Sequence, residues 1–115
     1  MPSIDDAMQR LLDLDGERFQ MGDGYWIKID VKQVAVSAEI PHGIRYSLTL
    51  HDPYGKRLLG FDNAHAVKKR RRYQNKRVER DHRHDGEQVA AYAFDGPEKL
   101  MEDFWNAVNT ILDHK

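Results

Sequence analysis

The stretch IRYSLTLHDPYGKRLLGFDNAH, residues 44–65, predicts a β-hairpin, and the rest of the fold can be built outward from it. Apolar residues occupy every second position of its first half: Ile44, Tyr46, Leu48 and Leu50. This alternation is typical of a strand with one buried face. HDPYGKR then supplies Asp, Pro and Gly in the order that a type I turn favours. The chain should therefore return through RLLGFDNAH, and the two strands should pair.

Further strands are predicted on both sides of this hairpin. YWIKIDVK, residues 25–32, alternates in the same way, and VAAYAF, residues 89–94, follows an Asp-Gly turn signal. Val34 and Val36 fall out of phase with Val31, so a bulge or strand break near Gln33 is needed to keep them inward.

Two amphipathic helices are predicted near the ends of the chain. Ser3 can cap the first, whose apolar residues recur at helical spacing up to Gly16. DGPEKLMEDFWNAVNTIL, residues 95–112, places Pro97 near the start of the second and carries a broad apolar stripe. We therefore expect one α+β domain over residues 1–115, a curled antiparallel β-sheet of about five strands with an N-terminal and a C-terminal helix packed on it.

Composition limits the classes of protein to consider. With 115 residues, 40% hydrophobic and 32% charged, the chain suits one globular domain. It has no cysteine, which rules out disulfides and thiolate metal sites. The sequence lacks a P-loop, a dinucleotide fingerprint and a nucleophile elbow. Its first residues resemble neither a secretory signal nor a transmembrane segment, so a cytoplasmic protein is expected.

Basic residues concentrate in one segment. Nine of the 18 Lys and Arg residues lie between Lys68 and Arg83 against two acidic ones, a local charge of +7 in a chain of net charge −1. A basic hairpin or loop at 66–80 can neutralise phosphates, and an aromatic ring in it can stack on a base. The alternatives are a solvated hairpin tip and a tip that docks on an acidic partner. The candidate nucleic-acid-binding residues are Lys68, Lys69, Arg70, Arg71, Arg72, Tyr73, Lys76 and Arg77.

The motif RDHRH, residues 80–84, carries two histidines that would share one face of a strand. His82 and His84 could act as general base and general acid in metal-independent RNA cleavage. They could instead bind a divalent metal such as Zn²⁺ or Mn²⁺, with a third ligand from His51, Asp62 or His65. Two solvated surface histidines are the third alternative. No cofactor is required by the sequence, although a divalent metal is allowed.

The motif GFDNAH, residues 60–65, ends an apolar strand in polar side chains. Asp62 could orient a histidine through its ring N–H, or Asp62 and Asn63 could only form a turn. Arg80 or Arg83 could offset the charge of a phosphate in the transition state. A list of candidate catalytic residues follows from both motifs: His82, His84, Asp62, His65 and Arg83.

These motifs, taken together, resemble the TumE-like family of small prokaryotic toxins. In that family a G-[FY]-D-N strand end is followed by a D-H-[RK]-H cluster, then by an aromatic strand and an L-x-x-D-F helix. The G-[FY]-D-N, D-H-[RK]-H and L-x-x-D-F motifs are here residues 60–63, 81–84 and 100–104. The resemblance covers roughly residues 45–112. The interval 64–80 looks longer and more basic than the family's usual connection.

The resemblance implies a toxin that inhibits growth when free and is neutralised by a cognate antitoxin protein. Together with the histidines it makes a ribonuclease-type toxin that acts on RNA the leading expectation. The rival is a non-catalytic module that binds nucleic acid or an acidic protein partner through the basic hairpin. No membrane partner is expected, and a homodimer formed through an exposed edge strand is allowed.

Overall fold

The computed structural model describes residues 6–38, 40–63 and 81–114. These residues form two helices and an antiparallel sheet, which confirms the predicted α+β architecture. The elements in chain order are α1 (Asp6–Asp13), β1 (Arg18–Gln20), β2 (Trp26–Gln33), β3 (Ile44–His51), β4 (Arg57–Asp62), β5 (His82–Asp85), β6 (Gln88–Ala91) and α2 (Pro97–Asp113).

In the described part of the chain the strands follow one another in space as they do in sequence, in the order β1-β2-β3-β4-β5-β6. The sheet has six strands there, whereas about five were expected. The difference is β1, whose three residues are too few to show an alternating pattern. β1 and β6 lie at the two edges of the sheet, and every residue of β6 is exposed.

The predicted hairpin joins β3 and β4. The amide of Gly55 donates to the carbonyl of Asp52 at 3.0 Å and closes the turn between the strands. Along the strands Ser47 pairs with Asp62, and the register then changes by one residue between Leu50 and His51. This is a β-bulge, because β4 contributes one residue more than β3 over that interval.

One face of the sheet packs against both helices and holds the core. We call it the helix face; it includes Ile29, Leu48 and Phe61, all with no exposed surface. The ring of Phe61 meets the edge of Phe104 on α2 at a centroid distance of 5.8 Å. Burying each such side chain stabilises the fold by about 1.5–3 kcal/mol. Because side chains alternate along a strand, the residues between these positions lie on the opposite face, which we call the open face.

α2 begins where proline is best tolerated in a helix. Pro97 lies in its first turn beside Glu98, whose charge suits the helix N-terminus. Leu100, Phe104 and Val108 follow at helical spacing and are fully buried. Within residues 6–38, 40–63 and 81–114, neither helix is long and apolar enough to cross a membrane.

Some local expectations were wrong. β2 ends at Gln33, as the broken phase required, but Val36 is 70% exposed and does not point inward. The last strand stops at Ala91, three residues before the predicted end at Phe94, although the Tyr92 amide still continues the β5–β6 register with a bond to the Asp81 carbonyl at 2.9 Å. The helix cap at Ser3 and the basic segment at 66–80 lie outside the described residues.

Candidate active site

The strand pairing between β4 and β5 brings the two polar motifs of the sequence together. Asp62 lies opposite His82 and Gly60 lies opposite His84, so all four share the open face. The Asp62 carboxylate oxygen Oδ2 is 3.2 Å from His84 Nε2, and the two side chains are only 6% and 13% exposed. Asp62 is therefore placed to orient one histidine of the pair.

The second oxygen of Asp62 is unused. Asp62 Oδ1 is buried and accepts no hydrogen bond from the described residues, and the contact of Oδ2 with His84 is close in distance but poorly aligned for a hydrogen bond. An unsatisfied buried acceptor costs about 1–3 kcal/mol, more if it is charged, so native structures rarely keep one without a reason. A hydrogen-bond donor next to Oδ1 would relieve this cost.

His82 stands beside His84 on the same strand. Their ring centroids are 6.5 Å apart with an angle of 48° between the planes, and both side chains are partly buried. Two imidazoles at this separation can contact opposite sides of one phosphate group. The described residues include no group of three or more His, Asp or Glu side chains that could hold a metal ion.

Asn63 has a structural position next to this pair. Its Oδ1 accepts from the Tyr46 amide at 3.0 Å, and its Nδ2 donates to the Ile44 carbonyl at 2.8 Å. Both bonds reach across to β3, so Asn63 continues the β3–β4 pairing with its side chain after β4 has ended. The local turn that was one sequence-based alternative is not what its side chain forms.

A second buried carboxylate, Asp81, lies just before β5. It accepts a 2.6 Å hydrogen bond from the Tyr46 hydroxyl, and its other oxygen is 3.8 Å from His42 Nε2. Burial, and then the bond to Asp81, raise the pKa of Tyr46 well above its usual value, so the phenol stays protonated and donates to Asp81. His42 is partly buried and packs on Phe94 at 4.0 Å between ring centroids.

Sequence reasoning gave no role to this second cluster. Tyr46 could have indicated the cluster, because a tyrosine whose side chain points into the core needs a buried hydrogen-bond partner for its hydroxyl. The cluster ties β3 to the start of β5 and so supports the strand that carries both histidines.

Arg83 is not brought to the histidine pair. It lies on the helix face, where its guanidinium contacts Asp85 at 2.9 Å and stands 5.3 Å from the centre of the Phe61 ring. It lines an open cleft of about 420 Å³ with residues that include Tyr92 and Asp103. Tyr92 donates to Asp103 at 2.7 Å, which joins the segment after β6 to α2.

His51, considered as a third metal ligand, lies on the open face but contacts Trp26 and Thr49 instead of the histidine pair. Its ring stacks on Trp26 at 3.9 Å, and its Nε2 is 2.9 Å from the Thr49 hydroxyl. Arg18 stands 4.1 Å from the Trp26 ring, so this stack braces edge strand β1 against β2 and β3. His65 and the candidate nucleic-acid-binding residues between Lys68 and Arg77 lie outside the described residues.

Comparison with known proteins assigns the chain to a family. The family model described as Toxin TumE matches residues 18–112, which run from β1 almost to the end of α2 and include Asp62, His82 and His84. Searches of curated proteins and of solved structures each returned no match. The matched region covers most of the 115 residues and the whole sheet. The chain therefore belongs to the toxin TumE family, the toxin components of toxin–antitoxin pairs.

Proposed function

We propose that this toxin is a ribonuclease whose active site is the Asp62–His84 pair together with His82. The observation that carries the proposal is the 3.2 Å distance between Asp62 Oδ2 and His84 Nε2 on the open face. The imidazole of His82 lies beside them, with its ring centroid 6.5 Å from that of His84. Two histidines and a carboxylate are enough for acid–base cleavage of RNA, in which the attacking hydroxyl belongs to the substrate.

The reaction divides into two proton transfers. One imidazole removes the proton of a ribose 2′-hydroxyl, whose oxygen attacks the adjacent phosphorus. The bond from phosphorus to the 5′-oxygen of the next nucleotide breaks, and the other imidazole, in its protonated form, gives that oxygen a proton. The products are an RNA with a 2′,3′-cyclic phosphate and an RNA with a 5′-hydroxyl.

We assign His84 as the base and His82 as the acid. The Asp62 carboxylate stabilises the imidazolium that forms when His84 takes the proton, as the carboxylate does in a catalytic triad. Asp62 Oδ1 is shielded from solvent, so Asp62 acts through His84 and not directly on the substrate. DNA has no 2′-hydroxyl and should not be cut.

The proposal includes a protein antitoxin as the neutralising partner, in keeping with the family. Among the described residues no strand pairs with the outer side of exposed edge strand β6, Gln88–Ala91, and a strand of a partner protein could extend the sheet there. β6 pairs directly with β5, so a partner bound at this edge would lie next to the histidine pair.

The test incubates the purified protein with end-labelled single-stranded RNA in the presence and absence of EDTA. Wild type and a His114→Ala control, in which an exposed histidine at the end of α2 is removed, should cleave equally and should leave 2′,3′-cyclic phosphates. His82→Ala and His84→Ala should each lose about 100-fold or more in rate, the usual contribution of general acid–base catalysis.

Other results would decide against the proposal in different ways. Cleavage that EDTA abolishes would point to metal-dependent hydrolysis. Intact RNA with a salt-sensitive mobility shift would favour the non-catalytic binding module. Loss of activity in the His114→Ala control would indicate a defect in folding and not in the site.

A further inference from the structure

The β-bulge in the β3–β4 hairpin changes the face on which Arg57 lies. Leu50 pairs with Leu59, but His51 pairs with Arg57, so Leu58 is the extra residue of β4. Without the bulge, strict alternation from Leu59 would put Arg57 on the helix face. With it, Leu58 packs against the core and Arg57 joins its partner His51 on the open face. Bulges of this kind often re-aim a side chain next to a functional site.

The side chain of Arg57 extends from the bulge to Gly60 on the same strand. A Cβ atom added to Gly60 would lie 3.4 Å from Arg57 Cδ and 3.6 Å from Arg57 Nη1. Gly60 is the register partner of His84, and paired Cβ positions on neighbouring strands are about 5 Å apart. The absence of a side chain at Gly60 thus leaves a notch that the guanidinium overlies, one strand away from His84.

The charge of Arg57 is not neutralised within the described residues, where no carboxylate forms an ion pair with it. Arg83 differs in both respects, because it pairs with Asp85 and lies on the helix face. An exposed guanidinium one strand away from an imidazole is suited to a phosphate, which it can bind with two parallel N–H donors.

We propose that Arg57, aimed by the bulge at Leu58 and lying over Gly60, holds the phosphate of the substrate RNA beside His84. This inference rests on the proposed ribonuclease function for its substrate. It transfers to Arg57 the role that the sequence suggested for Arg83.

The first arm of the test measures binding without cleavage. A 2′-O-methyl RNA oligonucleotide, which has no free 2′-hydroxyl to attack, is titrated into wild type, Arg57→Gln and Arg10→Gln at several salt concentrations. Arg10 is an exposed arginine of α1, on the helix side, so its variant controls for the loss of one charge. Arg57→Gln should reduce the slope of log Kd against log salt by about 0.7, and Arg10→Gln should leave it unchanged.

The second arm measures cleavage of unmodified RNA. Arg57→Gln should lower the rate by about 100-fold, the loss typical of removing one charge-stabilising donor. Added guanidinium at millimolar concentration should restore part of the rate to Arg57→Ala but none to His84→Ala, a readout that a purely structural role would not give. Circular dichroism of each variant checks the fold, and Arg57→Lys provides a second test if the glutamine variant unfolds.

The outcomes separate this inference from the proposed function. If wild type cleaves RNA while Arg57→Gln behaves like Arg10→Gln in both arms, Arg57 has no such role although the ribonuclease stands. If wild type binds but never cleaves, and the slope falls only for Arg57→Gln, the inference stands and the ribonuclease does not. If wild type neither binds nor cleaves RNA, both are overturned.

Discussion

Asn63 and Tyr46 hold the end of strand β4 against β3 through the backbone of Tyr46. The Asn63 side chain accepts from the Tyr46 amide at 3.0 Å, and the Asn63 amide donates to the Tyr46 carbonyl at 3.4 Å. Asn63 is only 2% exposed, so water cannot replace these bonds. Because Asn63 directly follows Asp62, these bonds also hold the backbone of Asp62 in place.

Asn63→Ala should therefore destabilise the fold strongly. The change leaves the Tyr46 amide and the Ile44 carbonyl without their buried partners, at an expected cost of about 2–4 kcal/mol. Urea denaturation of the variant measures this cost against Asn109→Ala, an exposed asparagine of α2 that should change little. Equal denaturation midpoints for the two variants would show that the hydrogen bonds of the Asn63 side chain do not stabilise the fold.

Tyr46→Phe should also destabilise the fold, by about 2 kcal/mol, because the buried Asp81 carboxylate loses its 2.6 Å donor. Tyr54→Phe is the matched control, since Tyr54 is 93% exposed in the β3–β4 turn. Thermal unfolding of both variants gives the comparison. A Tyr46→Phe protein as stable as the control would mean that the Tyr46–Asp81 bond contributes nothing to stability.

Tyr92→Phe should have a pH-dependent effect. Burial raises the pKa of Asp103, but hydrogen bonds from Tyr92 and Lys99 outweigh it and hold that pKa below the usual 3.8. A carboxyl with a lowered folded-state pKa stabilises the fold above its unfolded pKa and loses this contribution as pH falls. We expect a loss of about 1 kcal/mol at pH 7 that shrinks below pH 3.8. A loss of stability independent of pH would contradict this account of Asp103.

Two glycines before β2 offer a matched pair of substitutions. Gly22 and Gly24 both have a positive φ, at 92° and 85°, so an alanine at either one incurs backbone strain. Only at Gly24 would the new Cβ collide, 2.8 Å from the Cβ of Pro53 in the β3–β4 turn. Gly24→Ala should therefore cost about 1–3 kcal/mol more than Gly22→Ala. Equal losses would mean that the two turns do not pack against each other.

The elements that repeat a pattern over many residues could be predicted from the sequence. β3 and α2 each carry an apolar period that agrees with the observed burial, and Asp52 to Gly55 supply the turn chemistry that predicts the return through β4. β1 could not be predicted, because three residues show no period and its pairing depends on β2. Val36 was misjudged because an apolar residue outside a regular element has no phase that fixes its direction.

The candidate site was predictable where it depended on strand alternation alone. That alternation separates His82 and His84 from Arg83, and the pairing of β4 with β5 places Asp62 beside the histidines. Arg57 could not be found in this way, because the bulge moves its side chain to the other face of the sheet. The sequence RLLGFD contains no residue that indicates a bulge. The roles of Asp81 and His42 depend on contacts between residues 39 positions apart, which a local pattern cannot show.

We propose that Asp62 acts on RNA cleavage through His84, and single-turnover cleavage by Asp62→Asn is the decisive measurement. Asp30→Asn is the control, since Asp30 lies on the same face but is about half exposed and pairs with Lys28. We expect Asp62→Asn to stay folded and to lose at least about 100-fold in rate, while Asp30→Asn keeps the wild-type rate. A folded Asp62→Asn protein that cleaves RNA as fast as wild type would contradict it.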